Sequence, residues 1–378
     1  MTQKKSNNRL VFIDALRSFA IIMMLQGHFV SSLLSCTYKD SNNIYYSVWE
    51  YFRGITAPTF FTITGFIFMF LVLNQTDKKK QLLRIKKGIK RGLVLIAWGY
   101  ILRIGIAGVL SGYIHEAYFY TDVLHIIGLS LLLLCFIYLT LYKRSSNLFQ
   151  VTLVMITVLS FLFERYYNAI EMPYLPTVIS HYFTKANGAV FSLFPWFGYV
   201  SIGAFLATLF IKYKDQKNFY FLLPKYTGLL GLLLLFFSTG ILLNLGELTQ
   251  ISIFTVSGEY NYLFTRLGDS LVLMTAFIYL RNILNHSIFI QIGKVTLSIY
   301  IVHHILLYGS WFHTGLTRWL YNSLTLNQAL IGALLFVITT CFLVLKFRTP
   351  LNQLAYKCLD FFYRQIRLMK IAYLKAQR

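Results

Sequence analysis

Charged residues are scarce in this chain. They make up 13% of its 378 residues, against roughly 25% in a typical soluble protein. Acidic residues are the scarcest, with 13 Asp and Glu against 35 Lys and Arg. Cysteine is also sparse. Cys36, Cys135, Cys341 and Cys358 include no close-spaced pair, so neither a disulfide framework nor a zinc module is indicated. Only six prolines occur, and none falls at the centre of an apolar run. Walker A, GxSxG and HExxH patterns are missing, which leaves the soluble-enzyme chemistries they serve without support. What remains is apolar: 57% of the chain is hydrophobic and its mean hydropathy is +0.61. Runs of about 20 apolar residues recur throughout, the length needed to cross a hydrocarbon core as helix. The composition therefore predicts an all-α integral membrane protein.

Ten spans are expected, at about 11–35, 55–73, 92–111, 122–142, 148–164, 189–211, 226–244, 262–280, 290–311 and 326–346. The net charge of +22 raises nucleic acid as a partner, but its location argues otherwise. Basic residues concentrate at Lys4, Lys5 and Arg9, in "DKKKQLLRIKKGIKR", at Lys143 and Arg144, at Lys212 to Lys225, at Arg281 and after Lys346. The alternate connections carry Asp40, Glu50, Glu116, Glu164, Glu171, Glu247 and Glu259 with few bases. This asymmetry follows the positive-inside rule and predicts a polytopic bundle of ten helices with both termini cytoplasmic. The first span reads as a signal anchor rather than a cleavable leader. No connection is long enough for a soluble domain, so one domain over 1–378 is expected, with a core at 9–346 and a basic cytoplasmic tail at 347–378. Chemistry must come from polar residues inside the bundle.

Ionisable residues within a span usually face the bundle interior and mark a site or pathway. In "FIDALRSFAIIMMLQGHFV", Arg17 and His28 stand eleven residues apart and nearly eclipsed on one helix face, about 16 Å apart along the axis. Asp14 lies one turn from Arg17 and turns toward the same side; the two are expected either to form an ion pair near the inner interface or to take part in chemistry. His28, deep in the span, is the natural proton carrier. "TDVLHIIGLS" puts Asp122 one turn from His125, where the carboxylate would set the tautomer of the ring, or would simply start a helix. "GKVTLSIYIVHHILLYGS" carries His303 and His304, which cannot share a face. His28, His125 and His303 are expected at similar depth, but their spacing is not a metal motif and no metal is expected. Arg103 sits near the middle of the third span, where an anionic ligand or a carboxylate partner is expected. Arg84, Lys87 and Arg91 serve topology and lipid attraction, and would equally suit a phosphate-bearing ligand. "LFPWFGYVSIGAF" places Pro195 in a first turn and Trp196 in an interface belt.

Five of these stretches, "FIDALRSFAIIMMLQGH", "APTFFTITGFIF", "DVLHIIGLS", "LFPWFGYVSIGAF" and "IGKVTLSIYIVHH", resemble, in order, landmarks of the transmembrane acyltransferase superfamily. The resemblance spans residues 9 to about 310. It is strongest to the heparan-α-glucosaminide N-acetyltransferase catalytic-domain family, with the acyltransferase 3 family second. It implies an enzyme of the cell (inner) membrane that moves an acetyl or other acyl group from cytoplasmic acyl-CoA to an extracytoplasmic acceptor, a sugar or glycan hydroxyl or amine. His28 would be the catalytic histidine, with Asp14, Arg17, Asp122, His125 and His303 around it. Arg84, Lys87, Arg91 and Arg103 would meet acetyl-CoA, used as co-substrate. The lysosomal enzyme of the family has an asparagine where His28 aligns and a histidine in its first luminal loop; here no histidine occurs between Tyr38 and Arg53. Expected partners are acyl-CoA, a carbohydrate acceptor and the bilayer, with no nucleic acid; a homodimer is compatible with the chain. The competing reading is a proton-coupled secondary transporter, which would show helices interrupted at matching places in two halves.

Overall fold

The structure, a computed structural model, describes residues 10–112, 115–142, 144–186, 189–347 and 364–365. Lys4, Lys5, Arg9, Lys143 and nearly all of the expected basic tail lie outside the described residues. The described residues are helical throughout their regular structure, apart from one isolated bridge between Leu34 and Leu324. The long helices are α1 (Val11–Leu33), α2 (Ile44–Leu73), α3 (Lys78–Arg103), α4 (Val123–Ile137), α5 (Ser146–Leu162), α6 (Leu193–Tyr213), α7 (Phe219–Thr249) and α8 (Tyr262–Tyr279). Two helices in tandem follow, α9 (Ser287–Lys294) and α10 (Thr296–Tyr308), and then α11 (Leu326–Lys346).

Seven described helical segments are long and apolar enough to cross a membrane, and an eighth crossing arises if α9 and α10 count together. The chain is a polytopic all-α membrane protein. The two other expected spans map onto α3, whose first half is basic, and onto α5, which has 17 residues.

Several expected boundaries move, each for a local reason. The second helix starts at Ile44 rather than near 55, because Asn43 caps it by accepting from the backbone N–H groups of Tyr45 and Tyr46 at 3.0 and 3.4 Å. Pro58 is thus a helix-interior proline, which deprives the carbonyl four residues earlier of its N–H; the Tyr262 hydroxyl approaches that Gly54 carbonyl at 3.4 Å. The third helix ends at Arg103, where Ile104 turns extended at φ −65° and ψ 123°. The ninth span is broken at Val295, and its two halves meet at 71°.

Packing follows small residues. On α3 the buried positions Ile85, Gly88, Gly92, Leu95, Gly99 and Leu102 recur at helical spacing and form the face laid against α4. A Cβ on Gly92 would lie 2.8 Å from the Gly128 carbonyl oxygen, so only glycine allows the two backbones this approach. The same stripe leaves Arg84, Lys87 and Arg91 on an adjoining face, spaced by three and four residues. Helix α1 runs through the interior against α2, α9 and α11, while α2 packs on α6 and α7 on α8.

Candidate active site

One large cavity of about 1190 Å³ runs through the bundle. At one end its wall holds Arg84, Lys87 and Arg91, and toward the other it holds Arg103 and Asp122. Arg84 and Arg103 are nineteen residues apart on α3, so the cavity follows that helix for about 28 Å. Between these ends it is lined by Arg17 and His28 of α1, by Leu95 of α3, and by Thr296, Tyr300 and His304 of α10. The eleven-residue spacing therefore puts Arg17 and His28 on one lined surface, as expected.

Each polar group of the wall has a traceable position. Arg17 donates to the Thr296 hydroxyl at 2.8 Å, where α10 begins after the break. His28 Nδ1 lies 2.7 Å from the Tyr308 hydroxyl, which also receives the Ser32 hydroxyl at 3.4 Å. The His303 ring packs edge-on against His28 with centroids 5.3 Å apart. His303 Nδ1 donates to the Tyr300 carbonyl at 2.5 Å, and its Nε2 is buried without a hydrogen-bond partner. His304, its neighbour, lines the cavity and contacts the Ser310 hydroxyl through Nδ1 at 2.8 Å. Adjacent residues on a helix face different ways, so His303 supports the site from behind and His304 enters it.

At the far end Asp122 caps α4, accepting from the Leu124 backbone N–H at 2.9 Å. The His125 ring nitrogen Nδ1 lies 2.9 Å from the same carboxylate. The same Nδ1 lies 3.1 Å from the Asp122 backbone N–H and accepts from it, which completes a capping box at the start of α4. The contact between Asp122 and His125 is thus formed as expected. His125, however, does not line the cavity or meet His28: it is fully buried between Tyr100, at 4.2 Å between centroids, and Gly99. Arg103 Nε lies 3.6 Å from Asp122 Oδ2, so the arginine expected in mid-span is instead the last residue of α3, paired with a carboxylate.

Asp14 is 8% exposed and is not part of the cavity wall. Its stretch of α1 packs on α9: a Cβ on Gly293 would lie 3.1 Å from the Asp14 carbonyl carbon and from the Ser18 hydroxyl, and Ser18 donates to the Phe289 carbonyl. Trp196 leaves its expected place in an interface belt. It is 8% exposed, packed at tilted angles among Phe61, Phe191 and Tyr199, because α6 is buried on nearly all sides.

Arg53 and Tyr308 are wall residues that the sequence did not single out; Trp196 was expected elsewhere, and of His303 and His304, which cannot share a face, it is His304 that lines the cavity. Tyr308 had a signal, since it follows His304 by four residues and so shares its face. Arg53 had none while the second helix was expected to start after it. Among the described residues no group of three or more His, Cys, Asp or Glu is arranged to hold a metal ion.

A comparison of the sequence with known proteins identifies a family. Residues 9–239 match the family model described as heparan-alpha-glucosaminide N-acetyltransferase, catalytic, which covers more than half of the chain. No curated protein matches. The match ends within α7, so α10, with His303 and the wall residues His304 and Tyr308, lies beyond it. The chain thus belongs to the heparan-alpha-glucosaminide N-acetyltransferase catalytic family and is a membrane acetyltransferase.

Proposed function

We propose that the protein takes an acetyl group from acetyl-CoA on the cytoplasmic side of the cell membrane and passes it to a sugar or glycan acceptor on the other side. The observation that carries this reading is the single cavity joining the basic face of α3 to the Arg103–Asp122 end past His28. Arg84, Lys87 and Arg91 are the groups for the CoA phosphates, since phosphate is bound best by charge-assisted hydrogen bonds from such side chains. The pantetheine arm follows the apolar wall made by Phe68, Leu71, Leu95 and Leu131, and the thioester comes to rest near His28.

His28 serves as general base. With Nδ1–H directed at the Tyr308 oxygen, the lone pair of Nε2 is left for the acceptor. The acceptor oxygen or nitrogen bonds to the acetyl carbon as His28 takes its proton. The carbon–sulfur bond then breaks, and the proton passes to the departing thiolate. Arg17 braces the start of α10 through Thr296, His303 holds the His28 ring edge-on, and the Asp122–His125 pair shapes the far end. Asp14 acts through the α1–α9 contact. One domain carries the whole reaction.

The break between α9 and α10 is the feature that favours a transporter, because interrupted helices line many transport sites. Purified protein given acetyl-CoA and candidate glycosides should release free thiol, and His28→Ala should slow that release by roughly 10²- to 10⁴-fold. Thiol release by His28→Ala at the wild-type rate would sink the assignment of His28. Solute uptake driven by a proton gradient in proteoliposomes, without acetyl-CoA binding, would favour the transporter.

A further inference from the structure

Two imidazoles of the bundle interior stand on the cavity wall, His28 on α1 and His304 on α10, where removal of one proton needs a single base. They flank one phenol: the Tyr308 ring centroid is 6.0 Å from that of His28 and 5.0 Å from that of His304. Each has Nδ1 beside a hydroxyl, at 2.7 Å from Tyr308 for His28 and at 2.8 Å from Ser310 for His304. Both residues are half-buried rather than sealed off, unlike His303, which is fully buried behind them. With Nδ1–H directed at the serine oxygen, the Nε2 lone pair of His304 is left for the cavity. Ser310 is held in place by a turn that only glycine can make. Gly309 has φ 75°, and a Cβ on Gly309 or on Gly315 would lie 2.0 or 2.2 Å from the other's backbone nitrogen.

The two imidazoles meet different surroundings. Arg103 and Asp122 are the charged groups near enough to act on His304, whereas Arg53 is the one that acts on His28. His304 is therefore the imidazole turned toward the Arg103–Asp122 end.

We propose that His304 is a second catalytic base, which takes the first of the two protons that an amine acceptor must lose. The proposal rests on the acetyltransferase reading above. An amine next to electron-withdrawing carbons, as in a 2-aminoglycoside, titrates near pH 8, as an α-amino group does. At neutral pH it arrives as an ammonium with no lone pair to attack with. His304 Nε2 takes one proton and leaves the amine. The nitrogen then bonds to the acetyl carbon, His28 takes a second proton from it, the carbon–sulfur bond breaks, and His28 returns its proton to the thiolate. His304 releases its own proton to solvent. Ammonium and acetyl-CoA thus give amide, free thiol and one proton. A hydroxyl acceptor loses one proton only, and for it His28 suffices.

The test follows thiol release by the full chain in nanodiscs at saturating acetyl-CoA, with methyl glucosaminide as acceptor across a pH series. His304→Asn keeps an amide N–H for Ser310 and removes Nε2. The variant depends on amine that is already neutral, about a tenth of the total one unit below the pKa of the amine. Its kcat/KM should therefore fall about tenfold below wild type there, and about a hundredfold one unit lower. Above that pKa the two should agree within twofold. His28, Tyr300, Tyr308, Arg103 and Asp122, the titratable and charged groups facing His304, are the same in both proteins, so the ratio isolates His304. Ser310→Ala frees the ring to hold its hydrogen on Nε2 and should show a smaller loss with the same pH course. The acetyl-CoA KM should stay within twofold in both variants. A ratio that is the same at every pH, or His304→Asn equal to wild type below the pKa of the amine, overturns the role of His304 alone. So does transfer to methyl glucoside with none to the glucosaminide. If His304→Asn no longer binds acetyl-CoA, the Ser310→Ala profile decides in its place by the same criterion. Absence of transfer to both glycosides by wild type overturns the acetyltransferase reading together with the proposal.

Discussion

Replacing Tyr308 by Phe should damage catalysis while sparing substrate binding. The change removes one oxygen, the one that lies 2.7 Å from His28 Nδ1. Without it Nδ1 has no orienting partner, and the ring is free to carry its proton on Nε2, the wrong nitrogen for a base. Leaving a buried donor or acceptor unpaired costs about 1–3 kcal/mol. If that cost falls on the competent tautomer, kcat drops by about 5- to 150-fold. His28→Ala, which removes the base itself, should cost roughly 10²- to 10⁴-fold. The two residues act as one unit, so the double variant should be no slower than His28→Ala alone. The assay is thiol release from acetyl-CoA with a saturating glycoside, with the melting temperature in detergent measured alongside. The acetyl-CoA KM should be unchanged, because the basic strip is at the other end of the cavity. A Tyr308→Phe enzyme within twofold of wild type, or losses in the double variant that multiply, would refute the tautomer argument.

Three further outcomes follow from the geometry. Neutralising Arg84, Lys87 and Arg91 together with Gln should raise the acetyl-CoA KM at least tenfold and flatten its salt dependence; titration of acetyl-CoA at low and high ionic strength checks this, and an unchanged KM would detach the strip from the cofactor. Asp269→Ala should destabilise the fold by about 3 kcal/mol or more, because it strands Arg266, its ion-pair partner at 3.0 Å, and the Tyr51 hydroxyl at 2.7 Å; thermal unfolding should show the loss, and Tyr51→Phe should show a smaller one. Gly99→Ala would set a methyl group 2.5–2.7 Å from three atoms of the His125 ring, so it should cost about 1–3 kcal/mol of stability and disturb the Asp122 end. A Gly99→Ala protein with the wild-type melting temperature would mean that the α3–α4 contact yields more easily than its geometry implies.

What could be read from sequence had a local cause. Apolar run length and the placement of Lys and Arg predict the helical membrane class, because crossing a bilayer is a requirement on each segment by itself. The pairing of Arg17 with His28 on one surface was legible because α1 is an unbroken helix, over which a 3.6-residue period keeps its phase. In the ninth span the same counting leaves open which of two adjacent histidines faces inward, and the packing of α10 puts His304 on the cavity wall. Arg103 was misplaced by where its helix stops. Ile104 turns extended after it and ends α3, and a mid-span charge becomes a helix-terminal one facing Asp122.

The sequence by itself determined the class, the basic strip and the residue most suited to carry a proton, since each depends on composition or on spacing within one helix. Only the tertiary structure decided what those residues meet. Tyr308 reaches His28 from 280 positions away, and Arg103 meets Asp122 across separate elements. Contacts of that kind arise from how helices pack, as where the backbones of α3 and α4 approach at Gly92 and Gly128. No period within a single segment records them.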